Sequence, residues 1–173
     1  DGKQHYDEIE TGRDGGQFWC GPLRPYMVPT EGWIQYMELL ARLAVELGAS
    51  GVAPEEPLAH TLAGYSPAFK NEWQNIYGED WIAPHSSVDA FWKASKLKSY
   101  LYYNCVERVA KATKEHAAAN GLDIEFILPI HSLVSHSAGN MIYPNGQTYY
   151  LEQVDGFIGQ VWTGPVGWSL PKY

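Results

Sequence analysis

Ser50-Gly51-Val52-Ala53-Pro54-Glu55-Glu56-Pro57 is the stretch on which the reading of this chain turns. A short small-and-apolar run ends in two acids and a proline, as a buried parallel strand does when it delivers carboxylates to the mouth of a sheet. Upstream, Trp33, Met37, Leu40, Ala44 and Leu47 recur at helical spacing and predict an amphipathic helix over Glu31 to Leu47, with Thr30 as its N-cap and Gly48 ending it. Downstream, residues from Leu58 to Ser86 are mixed and contain a short helix, Ser66 to Tyr77, with Phe69, Trp73, Ile76 and Tyr77 on one face. Ser87 caps the longest helix, to about Asn120, in which Phe91, Ala94, Leu97, Leu101, Cys105, Val109 and Ala112 keep the spacing and Asn120-Gly121 stops it. Strands are expected at Ile124 to Ile130, ending at His131, and at Gly156 to Trp162, with a short one near Phe18 to Gly21. Strands alternating with amphipathic helices mean right-handed βαβ units, a parallel sheet and the α/β class.

Composition narrows the possible functions. The 173 residues include 20 acidic and 12 basic side chains, a formal charge of −8 that repels phosphate backbones and anionic lipid, so neither nucleic acid nor membrane is an expected partner. No apolar stretch approaches the roughly 20 residues needed to cross a bilayer. The chain starts at Asp1 with no basic, apolar leader, so any secretion signal is expected to be removed or never present. Cys20 and Cys105 permit one bridge at most and read as two buried free thiols. Gly12 to Gly16 lacks the Gly-Lys-Ser/Thr ending of a phosphate loop, and no cofactor motif appears. Residues 1–16 read as an irregular segment in front of a single unit.

In a parallel α/β sheet, ligands bind at the carboxyl ends of the strands. Those ends are expected near Cys20 to Arg24, at Glu55 and Glu56, at His131 and Ser132, and at Gln160 and Trp162. Acid, imidazole, amide and indole on one rim suit a carbohydrate: carboxylates for proton transfer, polar groups for hydroxyls, a flat ring for a sugar face. Adjacent strand residues point to opposite sides, so only one of Glu55 and Glu56 faces the centre of the mouth. The competing reading is that both acids simply bond to loop amides or basic side chains.

The run from Gly51 to His60 resembles the strand-four segment of clan A glycoside hydrolases, in which an acid/base glutamate follows an asparagine and often precedes a proline. On that register Glu56 matches the acid/base, and Glu55 stands in the asparagine's place. Gly64 to Gly78 is similar to the excursion after the same strand in family-42-type β-galactosidases, through Phe69, Trp73, Tyr77 and Gly78. The resemblance implies part of a (β/α)8 TIM barrel, strands three to six, with Glu56 catalytic and Glu55, His60, His131, Gln160 and Trp162 contacting substrate. The family's nucleophile ends strand seven, which is not found after Trp162, so a remaining barrel segment or a second copy is expected to cover the open edges.

Other readings stay open. His131 and His136 could join Glu56 on a metal, or serve as hydrogen-bonding histidines at the rim. Ser132, Ser135 and Ser137 lack a nucleophile elbow. Lys93, Lys96 and Lys98 are expected on the wet face of the long helix. Large aromatics are more often core than platform; Trp33 is expected in the core and Trp162 at the ligand. A non-catalytic carbohydrate-binding or partner-interaction protein is the alternative to a hydrolase.

Overall fold

The computed structural model describes residues 4–55, 57–131, 141–142 and 151–160. Its helices are α1 (Glu31–Glu46), α2 (Pro67–Tyr77) and α3 (Val88–Ala119); its strands are β1 (Gly51–Val52), β2 (Ala59–His60), β3 (Glu125–His131), β4 (Met141–Ile142) and β5 (Gly156–Gln160). Each helix begins where a hydroxyl can satisfy an orphan backbone N–H. Thr30 Oγ1 accepts from the Trp33 N–H at 3.1 Å, Ser66 Oγ from Phe69 at 3.3 Å, and Ser87 Oγ from Ala90 at 3.0 Å. Gly78, at φ 67°, takes the left-handed conformation that ends α2.

β1, β3 and β5 form a parallel sheet with β3 in the centre, Val52 opposite Phe126 and His131 opposite Gln160. Parallel neighbours need a crossover, and α3 is the helix that carries the chain from β1 to β3. Phe126 and Leu128 point to the helix-covered face and are fully buried with Ile34 and Ala41 of α1 and Val106 and Ala110 of α3. Asp155 locks the start of β5 to β3. Its carboxylate accepts from the Phe126 N–H at 2.8 Å and from Lys114 Nζ at 2.6 Å, and both hold it below the usual carboxylate range, Lys114 foremost.

The α/β arrangement is therefore present as three parallel strands with helices on one face. The expected segments from Glu31, Ser66 and Ser87 are helices, and those from Ile124 and Gly156 are strands within a residue or two at their starts. Residues 161–173 lie outside the described residues, so β5 is described only to Gln160. On β5, Phe157 and Ile158 are successive, hence on opposite faces, and are 53% and 56% exposed.

Several expectations need correcting. The buried stripe of α1 is Ile34, Ala41 and Val45, whereas Leu40 is 40% and Leu47 88% exposed and Trp33 is only half-buried. Apolar residues occur almost all round this helix, so spacing alone cannot choose its face. The face is the one that packs Ile34 and Ala41 against Val106 and Ala110 of α3, and Arg108 of α3 pairs with Glu31 and Glu38 across the same contact. On α2, Ile76 leaves the buried face, which is built by Ala68, Phe69 and Trp73. Lys98 is on no wet face: it is 3% exposed.

Instead of a strand at Phe18 to Gly21 there is a knot of three extended runs joined by single bridges. Phe18 N–H donates to Glu10 O at 2.9 Å, Glu10 N–H to Tyr26 O at 2.7 Å, and Tyr26 N–H to Phe18 O at 3.0 Å, closing a ring of three backbone bonds. No regular ladder forms because each run is partnered by two others at one point. A second sheet, unanticipated, pairs β2 with β4 antiparallel.

Candidate functional site

β1 is in register with the start of β3, Val52 opposite Phe126, so its end lies level with Phe126 and five residues short of His131. The chain passes from β1 through Ala53 and Pro54 to an exposed Glu55, and His131 of β3 is registered opposite Gln160 of β5. Glu56 and Trp162 lie outside the described residues, as do Ser132, Ser135, His136 and Ser137. Among the described residues no group of three histidines, cysteines or acids is placed to hold a metal.

Beside Glu55 opens a cavity of about 290 Å³ between the helix-covered face of the sheet and the N-terminal knot. Met37, Val106, Val109 and Phe126 make its apolar wall, while Arg24, Tyr26, Trp33, Tyr102 and Glu55 bring polar atoms or ring edges to it. Mostly apolar walls with a few fixed polar groups are the usual make-up of a small-molecule site. Glu55 is the only acid among the described residues that line it. Both cysteines are in the lining: Cys20 is half-buried at the turn where its N–H donates to Arg24 O at 2.7 Å, and burial pushes the Cys105 thiol up to about 12. Cys105 is thus a protonated, inert wall residue and Cys20 the reachable one. Trp33, expected to be core, is part of this lining.

Behind the cavity is a buried polar cluster that gave no motif in the sequence. Glu10, 3% exposed, accepts on one carboxylate oxygen from the backbone N–H of His60 at 3.0 Å and sits 2.8 Å from its ring Nδ1. Lys98 Nζ donates to the carbonyls of His60 and Thr61 at 3.1 and 2.8 Å. Burial pulls the Lys98 ammonium down to about 8, with Glu10 acting in the opposite sense. Tyr102 OH donates to Met27 O at 2.8 Å, and burial, with Glu10 nearby, keeps the phenol protonated far above its ordinary range. A buried acid and a buried lysine thus pin the knot, β2 and α3 together through backbone groups of His60.

The His60 ring is held on two sides. Phe18 stacks on it at 4.4 Å between centroids, 15° apart in plane, and Tyr26 meets it edge-on at 4.4 Å and 82°. Phe18, His60 and Tyr26 form a partition: Tyr26 lines the cavity beside Glu55, and Phe18 lines a second cleft on the other side. His60, expected at the substrate, is placed within this partition with its Nδ1 committed to Glu10.

Protein-family models, curated proteins and solved structures offer no match to this chain. What the site can do therefore rests on its own residues. Glu10 could not have been found by spacing, since it lies in a polar segment without periodicity. Lys98 could have been: it falls four residues after Ala94 and three before Leu101, on the stripe that α3 buries.

Proposed function

We propose that the chain carries a carbohydrate site at the carboxyl edge of its parallel sheet and that its chemistry is glycoside hydrolysis, with Glu56 protonating the glycosidic oxygen. The observation that carries this reading is the cavity that Glu55 lines, three residues beyond the end of β1, together with Arg24, Tyr26 and Trp33. A general acid gives its proton to the leaving alkoxide as the glycosidic bond breaks, and that is the task assigned to Glu56. Tyr26 and Trp33 offer ring surface to the apolar face of a pyranose, and Arg24 donates to its hydroxyls. The TIM-barrel frame implied by the resemblance in Gly51 to Gly78 belongs to this proposal, as does substrate contact by His131, Gln160 and Trp162.

Hydrolysis needs a second group to attack the anomeric carbon or activate water, and the reading takes that group from outside the described residues. The solitary position of Glu55 among the lining acids favours a second reading, a site that binds sugar without cleaving it. One experiment separates them. Turnover of unactivated oligosaccharides is followed for the wild-type protein, Glu55→Gln and Glu56→Gln, with binding measured in parallel. Hydrolysis reduced about 10²-fold or more by Glu56→Gln, and much less by Glu55→Gln, supports the enzyme. Binding with no turnover supports the second reading, and a larger loss from Glu55→Gln reverses the assignment.

A further inference from the structure

The cleft beyond the partition is larger than the cavity beside Glu55, about 600 Å³. Three segments build it: the turn from Gly12 to Phe18, the turn from Thr61 to Tyr65, and Pro84 to the first turn of α3. They are tied together. Tyr65 N–H donates to Thr11 O at 3.2 Å, and Tyr65 OH lies 2.8 Å from His85 Nδ1, with the two rings near parallel at 5.9 Å. The walls are therefore aromatic: Phe18, Tyr65, His85 and Phe91. Phe18 is backed by its stack on His60, and the Tyr65 ring meets Trp81 edge-on at 5.6 Å. These are rings fixed before any ligand arrives, which reduces the ordering cost of binding.

The polar margin is Arg13 and Asp14, side by side on an exposed turn. Asp14 is oriented by its own loop, accepting from the Gly16 N–H at 2.9 Å. A guanidinium only donates and a carboxylate only accepts. A phosphate or carboxylate ligand would be repelled by Asp14, and an ammonium by Arg13. A hydroxyl satisfies both, because it donates and accepts. Flat apolar walls beneath a paired donor and acceptor select a ring with one C–H face and an edge of hydroxyl groups.

We propose that this cleft is an outlying sugar site that takes one or two neutral pyranose units, on the far side of the Phe18–His60–Tyr26 partition from the cavity beside Glu55. The proposal rests on the carbohydrate reading above and extends it: the same glycan class is gripped at a second place, so longer oligosaccharides bind better than monosaccharides. The two locations carry independent reporters. Cys20 lines only the first cavity, and Arg13 and His85 line only the second.

The test is calorimetric titration of the full chain with galactotetraose, cellotetraose, xylotetraose and tetragalacturonate, alongside the rate of Cys20 alkylation with each sugar present. Arg13→Ala and His85→Ala are compared with wild type; both positions are exposed, and thermal melting confirms folding. The expected result is that at least one neutral tetrasaccharide binds, slows Cys20 alkylation, and loses about tenfold in affinity in each variant at unchanged Tm. Equal affinity in wild type and both variants, with Cys20 still protected, overturns the second site and leaves the first intact. Loss of affinity in the variants without protection of Cys20 upholds the second site and removes the first. No binding of any of the four sugars removes both, and preference for tetragalacturonate overturns the neutral class.

Discussion

The two halves of this molecule are held together by opposite means. Where α1 and α3 cover the sheet, Ile34, Ala41, Val106, Ala110, Phe126 and Leu128 close an apolar core, and Arg108 pairs beside it with Glu31 and the more buried Glu38. Where the N-terminal knot meets β2 and α3, a carboxylate and an ammonium are buried at 3% exposure each, joined through the backbone of His60. The apolar half tolerates any sequence with the right volumes and spacing. The polar half is specified atom by atom, because a buried charge without its partner is costly. The cavity beside Glu55 lies on the seam, with Phe126 and Val106 from one half and Tyr26 and Tyr102 from the other.

The sharpest way to break this contrast is to remove one member from each half. Glu10→Ala strands the Lys98 charge and the His60 N–H and should cost about 3–5 kcal/mol in urea unfolding. Phe126→Ala, which leaves a cavity at a fully buried ring, should cost about the same, about 3–5 kcal/mol. The two losses respond differently to a second substitution. Adding Lys98→Met to Glu10→Ala should recover part of the loss, whereas adding it to Phe126→Ala should not; purely additive costs in the first pair would mean that the polar cluster is not a unit.

A smaller effect distinguishes the halves by pH. The Lys98 ammonium is pulled down to about 8 from an ordinary value of 10.5, so between those values the unfolded chain binds more protons than the folded one. Stability must then rise with pH through that window. Relative to Lys98→Met, the wild-type protein should gain stability between about pH 8 and pH 10.5, and no corresponding gain is expected relative to Phe126→Ala. A flat difference between wild type and Lys98→Met over this window would refute the burial assigned to that lysine.

The smallest effects test local structure. Ser66→Ala removes the cap of α2 and should cost about 1 kcal/mol. Leu47→Gln, at a position 88% exposed, should change stability by no more than about 0.5 kcal/mol, while Ile34→Ala should cost about 2–5 kcal/mol. A destabilising Leu47→Gln would restore the face of α1 that spacing suggests.

The same contrast explains what was legible in the sequence. α3, the start of β3 and the caps Thr30 and Ser87 were readable because periodicity and capping act within a few residues. The rotation of α1 was not, because apolar residues lie almost all round it and the face it buries is set by packing on α3, about 70 residues further along the chain. The knot was illegible for a related reason: its ring of backbone bonds joins Glu10, Phe18 and Tyr26 without any side-chain pattern, and Glu10 finds His60 across 50 residues. Of the candidate site, His131 and Gln160 were readable as strand residues, and Arg24 and Glu55 were expected at the rim, while Tyr26 and the two-sided clasp of His60 emerge only from the fold.

The most direct test of the central claim, that Glu56 donates the proton to a glycosidic oxygen, is the dependence of Glu56→Gln turnover on leaving group. An aryl glycoside with an acidic phenol leaves without help, so Glu56→Gln should retain close to wild-type rates on it while losing about 10²-fold or more on an unactivated alkyl glycoside. Equal loss on both substrates, or none on either, would contradict the assignment.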